Sequence, residues 1–182
     1  MAKRLSEWWG QNYKVVAWIV LTLVIIATVT AGYLYITRDT NPIPKDIRSK
    51  LTFSPLAIPV YAKTYSVTDY KFTTSENNTQ TLSYSIRTNN NSISLSQQQQ
   101  PQAFVEIPEY KNRFLDNVAK QYDTVQTANG TIYLGHLSKQ NNKQLGIMLE
   151  KGLLIFINPD KEMDKAQWRD LGDQLEIQKK SN

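Results

Sequence analysis

The chain has 182 residues, no cysteine and a formal net charge of +5. Lack of cysteine excludes disulfides, thiol catalysis and thiolate metal centres. The positive excess is local: Lys3, Arg4 and Lys14 face Glu7 in residues 1–14, and Arg38, Lys45, Arg48 and Lys50 face Asp39 and Asp46 in residues 37–50, while residues 51–182 hold 14 basic and 13 acidic side chains. Charge concentrated on both sides of one segment suits anionic headgroups. It does not form a footprint for nucleic acid, and no nucleic-acid partner is expected.

Residues 1–14 are expected to be a short basic cytoplasmic tail. Residues 15–36 read VVAWIVLTLVIIATVTAGYLYI, 22 residues without a charge. As a helix they would span about 33 Å, enough for a bilayer core of about 30 Å. Trp8, Trp9, Tyr13 and Trp18 stand at one end and Tyr33 and Tyr35 at the other, where interfacial rings belong. A transmembrane helix acting as signal anchor is predicted, with the lipid bilayer as its partner. A cleaved signal peptide ending at Val29-Thr30-Ala31 is the alternative, and the length of the apolar run argues against it. Basic residues are similar in number on both sides. Orientation therefore rests on the short tail before a long domain, which places the domain outside the cytoplasm.

Residues 37–50 read as a proline-containing linker, with Pro42 and Pro44 disfavouring helix. Residues 51–182 are expected to form an extracytoplasmic α+β domain. Pro55 and Pro59 suit edge or irregular extended chain over Leu51 to Tyr61. Strand signals follow at Ser66 to Thr74 and at the alternating Leu82-Ser83-Tyr84-Ser85-Ile86 and Ile93-Ser94-Leu95. The last two flank the polar cluster Arg87 to Asn91, a hairpin pattern. On the same phase Gln97 and Gln99 point inward if the strand lasts that far, and Pro101 ends the strand. Four glutamines before a proline read as a strand exit and not as an aggregation tract.

A helix is predicted over Pro108 to Tyr122, with Tyr110, Phe114, Val118 and Tyr122 recurring every four residues beside Leu115 and Ala119. Strands follow at Asp123 to Ala128, at Thr131 to Ser138 beyond the Asn129-Gly130 turn, and at Leu145 to Leu149 beyond the polar turn Gln140 to Lys143. Lys151-Gly152 turns the chain again. Leu153 to Ile157 is continuously apolar and is predicted to be the most central strand. A final helix over Lys165 to Gln178 would be capped by Asp164 with Gln167, bury Trp168, Leu171 and Leu175, and end near Lys179 and Lys180. The predicted fold is an N-terminal transmembrane helix followed by a curved antiparallel sheet of six to eight strands, with two helices packed on one face.

Several of these segments carry a family likeness: Pro42-Ile43-Pro44-Lys45 with Ile47-Arg48 and Leu51-Thr52-Phe53; Leu82 to Ile86; Ile93 to Gln98 with Pro101 and Phe104; and Thr127, Gly130, Tyr133 and Gly135 before the apolar strand and last helix. In these the chain resembles an uncharacterised family of single-pass, membrane-anchored envelope proteins of candidate-phylum bacteria such as the Saccharibacteria. The resemblance implies an anchored exterior domain. It brings no activity and no functional residues.

Candidate chemistry is sparse. His136 is the one histidine, and its alternation with Ile132 and Leu134 reads as the end of a buried strand face. One histidine without cysteine leaves only scattered carboxylates for a metal. Glu106 with Glu109, or Asp170 with Asp173, would be the acid/base couples of a carboxylate hydrolase, but they read more simply as helix-start and solvated-face charges. No glycine loop for phosphate is present. Val60 to Phe72 interleaves Tyr61, Tyr65, Tyr70 and Phe72 with Lys63 and Lys71, a mixture that suits stacking on bases or sugars, or strand aromatics facing a core. Gly10 is followed by no early glutamate, against a type IV pilin. No catalytic, cofactor-binding or metal residue is assigned and no cofactor is expected. The function expected is a non-enzymatic binding or interaction module of the cell envelope, with an envelope protein or a glycan as partner. The alternatives are an accessory subunit of a secretion or surface-assembly complex and a carboxylate-dependent envelope hydrolase.

Overall fold

The computed structural model describes residues 17–30, 33, 40–62, 64–137 and 143–178, with backbone alone for Gln121 and Tyr122. Two compact units divide the chain, residues 1–40 and 41–182. In the first, residues 17–30 form helix α1, whose described side chains are exposed. The hydroxyls of Thr22 and Thr28 donate to the carbonyls of Trp18 and Val24, each at 2.8 Å. A hydroxyl bonded into its own helix leaves no unpaired donor for an apolar medium to bear. Among the described residues no helix is long and apolar enough to cross a membrane. The expected tail 1–14, residues 15, 16, 31, 32 and 34–36 of the apolar segment, the turn from Gln140 to Asn142, and Lys179 and Lys180 lie outside the described residues.

The second unit is α+β. Its order is α2 (Lys45–Arg48), β1 (Leu56–Ala57), β2 (Ser66–Thr74), β3 (Gln80–Arg87), β4 (Ser92–Gln99), α3 (Ala103–Glu106), α4 (Pro108–Val118), β5 (Ala119–Thr127), β6 (Gly130–Leu137), β7 (Gln144–Glu150), β8 (Leu153–Pro159), α5 (Lys165–Gln174) and β9 (Glu176–Ile177). Seven strands make one antiparallel sheet in the order β2-β3-β4-β8-β7-β6-β5, and β1 pairs with β9 in a second, two-stranded sheet. The apolar run Leu153 to Ile157 lies in β8, the middle strand, as its composition predicts. The β3–β4 hairpin forms with Tyr84 opposite Leu95 and Ile86 opposite Ile93.

Both faces of the sheet are covered, which corrects the expectation of two helices on one face. On one face Leu82, Tyr84, Ile86, Ile93, Leu95, Ile132, Leu134, Ile155 and Ile157 pack under residues 43–58 and under Trp168, Leu171 and Leu175 of the α5 region. On the other, Leu145, Ile147, Leu149 and Leu154 pack under Leu115 of α4, with Phe104, Phe114 and Phe156 around them. Phe114 stands 4.9 Å from Phe104 and 6.1 Å from Phe156 between ring centres, contacts that contribute about 0.5–1.5 kcal/mol each. The reason is in β7 and β8, which are apolar on both phases and need cover on both sides. Gly146 faces α5: a Cβ there would fall 2.6 Å from Cζ3 of Trp168, so the indole approaches the strand only because that side chain is missing.

Three boundaries differ from the sequence reading. Residues 41–50, assigned to a linker, belong to the second unit. Pro44 precedes α2 and its carbonyl accepts from the Ile47 and Arg48 amides, and Ile43, Ile47 and Leu51 are buried at helical spacing. Helix α4 stops at Val118, because the ladder with β6 begins at Ala119 opposite Leu137 and takes Tyr122 into β5. Helix α5 starts with the expected capping box of Asp164 and Gln167 but ends at Gln174. Its successors Glu176 and Ile177 are drawn into pairing with Ala57 and Leu56.

The glutamine tract divides in the same way. Gln99 is the last residue of β4 and is exposed, so the inward phase ends before it. Gln97 is 0% exposed. Its Oε1 accepts from the Leu56 amide at 2.9 Å and its Nε2 donates to the Leu56 carbonyl at 2.7 Å. The same carbonyl accepts from the Tyr84 hydroxyl at 2.9 Å. A side-chain amide thus pairs with one main-chain residue as a neighbouring strand would, and it satisfies a buried segment that the large sheet does not reach. Gln97→Leu retains bulk but strands the buried Leu56 N–H, and should cost about 1–3 kcal/mol. Chemical denaturation should show a lower midpoint with an unchanged slope; a wild-type midpoint would mean the pairing contributes nothing.

Candidate functional site

An open cleft of about 620 Å³ lies between the β3–β4 turn and the first turns of α5. Its buried residues are Ile93 and Met163; its exposed ones include Asn89, Asn90, Gln167 and Asp170. Each wall is held by hydrogen bonds that the local sequence supplies. In the turn, Thr88 Oγ1 accepts from the Asn91 amide at 3.0 Å and the Thr88 amide donates to the Asn91 carbonyl at 2.9 Å. Asn91 then joins the turn to the β8–α5 connection, with Nδ2 donating to the Lys161 carbonyl at 2.9 Å and Oδ1 accepting from the Lys161 amide at 3.0 Å. Gln144 does the same from β7: Nε2 donates to the Met163 carbonyl at 3.0 Å and Oε1 accepts from the Met163 amide at 2.8 Å.

Two amides at the helix end of the cleft are satisfied by the capping box. Asp164 Oδ1 accepts from the Gln167 amide, and Gln167 Oε1 from the Asp164 amide, both at 2.9 Å. The capping carboxylate stands where an anion would otherwise be drawn to the helix. One turn on, Asp170 Oδ2 accepts from the Tyr65 hydroxyl at 2.5 Å. Burial first, then this hydrogen bond and the charge behind it, push the Tyr65 phenol above the ordinary tyrosine value. Asp170 is the one charged side chain among the described lining residues.

The sequence candidates are not gathered here. Glu106 accepts from Gln102 Nε2 at 2.6 Å on α3, and Glu109 is exposed in the first turn of α4. Both belong to the layer opposite α5, which carries Asp170 and Asp173. Asp173 is taken up by the β5–β6 turn, its Oδ1 accepting from the Ala128 amide at 2.6 Å. His136 is half-buried in β6, opposite Lys120 and Gln144. Among the described residues no group of three or more His, Asp or Glu could hold a metal ion. Of the aromatics between Val60 and Phe72, Tyr65, Tyr70 and Phe72 pack against the core, and Tyr70 lies 5.3 Å from Tyr84. Tyr61 is 70% exposed and donates to Glu176 Oε1 at 2.5 Å.

Sequence reading marks Arg87 to Asn91 as a polar turn and leaves Tyr65 among strand aromatics. Nothing local reveals that Asn91 meets a segment 70 residues on or that Tyr65 meets Asp170. Comparison of the chain with protein-family models, curated proteins and solved structures finds no match in any of the three.

Tyr65 offers a direct probe of this geometry. The folded state favours the neutral phenol, so its contribution to stability is complete below the ordinary tyrosine value near pH ~10 and is lost as pH rises through the higher folded value. In Asp170→Asn the charge is gone and burial remains, so the Tyr65 resonance should begin to ionise at lower pH than in wild type, though still above about pH 10. Coincident titration curves would show that Asp170 does not act on it.

Proposed function

We propose that the protein is a single-pass, membrane-anchored module of the cell envelope that binds a glycan or a partner protein outside the cytoplasm without transforming it. The observation that carries this reading is the open cleft with one carboxylate, on a compact unit that follows the uncharged segment 15–36. Sites of about 300–1,000 Å³ suit small ligands or one unit of a larger one. The apolar side chains exposed along α1 and its self-bonded threonines suit a bilayer. The hydrolase alternative requires two converging carboxylates, and Asp170 is the one carboxylate among the described lining residues.

One observation favours the accessory-subunit alternative. Val105, Ile107 and Tyr110 are 72%, 41% and 47% exposed along α3 and α4, on the layer opposite the cleft. A second protein seated there would leave the cleft open, so the two readings are compatible.

Protease added to intact cells that carry the chain should remove residues 41–182 and leave an apolar fragment in the membrane pellet after alkaline extraction. A unit protected until lysis would reverse the orientation, and a chain released by alkaline extraction would remove the anchor.

A further inference from the structure

The polar groups of the cleft fall into two sets. Asn91, the Thr88 hydroxyl, Asp164 and Gln167 Oε1 are committed to the fold. The side-chain amides of Asn89 and Asn90, Gln167 Nε2 and Asp170 Oδ1 have no hydrogen-bond partner among the described residues, and all four residues line the cleft. These groups offer several donors, several acceptors and one fixed anionic acceptor. Beneath them Ile93 and Met163 are buried and apolar, and the ring of Tyr65 stands at the side.

We propose that this cleft binds a neutral saccharide. The inference rests on the binding reading above and names its ligand class. Planar amides can accept from and donate to adjacent hydroxyls of a sugar ring and the carboxylate can accept from them, while the C–H faces of the ring need an apolar surface such as the partly exposed Tyr65 ring provides beside the buried Ile93 and Met163. Anions are disfavoured twice, because Asp170 is the charged side chain among the described lining residues and the Asp164 carboxylate caps the N-terminus of α5. A flat apolar ligand would leave the four unpaired polar groups desolvated without partners. A cationic peptide would meet a single carboxylate that already accepts from Tyr65. The lone carboxylate also means the sugar is held and not hydrolysed.

The test uses the full chain in lipid nanodiscs, with side-chain amide resonances of Asn89, Asn90 and Gln167 followed during titration with chitotriose, maltotriose, inorganic phosphate and tetralysine. Either sugar should shift these resonances saturably, with a Kd of about 0.1–10 mM, the weak range of a shallow open site. Asp170→Asn and Asn90→Ala, both at exposed positions, should each weaken binding by roughly fivefold or more, with the remaining spectrum unchanged. If neither sugar produces a shift at about ten times the upper Kd, or if both substitutions leave binding intact, the proposal is wrong. Selective shifts with tetralysine or phosphate would overturn the saccharide class and leave a binding module standing. The protease experiment reads the membrane assignment independently, so either can fail alone.

Discussion

The pairing of Gln97 with Leu56 is the contact on which the second unit depends. Leu56 is a fully buried residue in a two-residue strand flanked by Pro55 and separated by one residue from Pro59. Prolines remove donors and prevent this segment from joining the large sheet. Its main chain must still be satisfied once it covers the apolar face of β3 and β4. The Gln97 amide meets the N–H and C=O of Leu56 together, Tyr84 adds a second donor to the carbonyl, and β9 pairs along the remaining edge. Residues 41–58 can therefore close over Leu82, Ile86 and Leu95 without leaving an unpaired peptide at Leu56.

The same device recurs where the cleft is built. Asn91 grips Lys161 and Gln144 grips Met163 through both polar atoms of an amide. These two contacts hold the short connection from β8 to α5, fix the position of the Asp164 cap, and so place Gln167 and Asp170 opposite the β3–β4 turn. Helices contribute cover, but the side-chain amides set where the connections run. That division leaves the cleft lined by neutral polar groups whose neighbours are already committed, a surface suited to hydroxyl-rich ligands.

Much of the fold is legible in the sequence wherever the signal is local. The alternation at Leu82 to Ile86 and Ile93 to Leu95, the unbroken run at Leu153 to Ile157, and Asp164 with Gln167 each specify their element through contacts within a few residues. The boundary of α4 is misread because the four-residue spacing of aromatics continues to Tyr122 while strand pairing takes over at Ala119. The placement of helices on both faces follows from the double apolar phase of β7 and β8, a pattern visible at Leu145 to Leu149 only once Gly146 is understood as the slot for Trp168. The period of two correctly turns Gln97 inward, yet its partner lies 41 residues away and leaves no trace in spacing. The cleft was hidden for the same reason: Asn89 to Asn91, Tyr65 and Asp170 belong to three separated segments, and the contacts that bring them together, Asn91 with Lys161 and Tyr65 with Asp170, are long-range.

Hydrogen exchange of the Leu56, Lys161 and Met163 amides measures this account at its centre, because each is held by a side-chain amide. The buried Leu56 and Met163 amides should exchange as slowly as those of the central β4–β8 ladder, with the more exposed Lys161 amide intermediate. Exchange of Leu56 and Met163 at the rate of exposed turn amides would show that these connections open freely, and that the amide contacts do not hold the unit together.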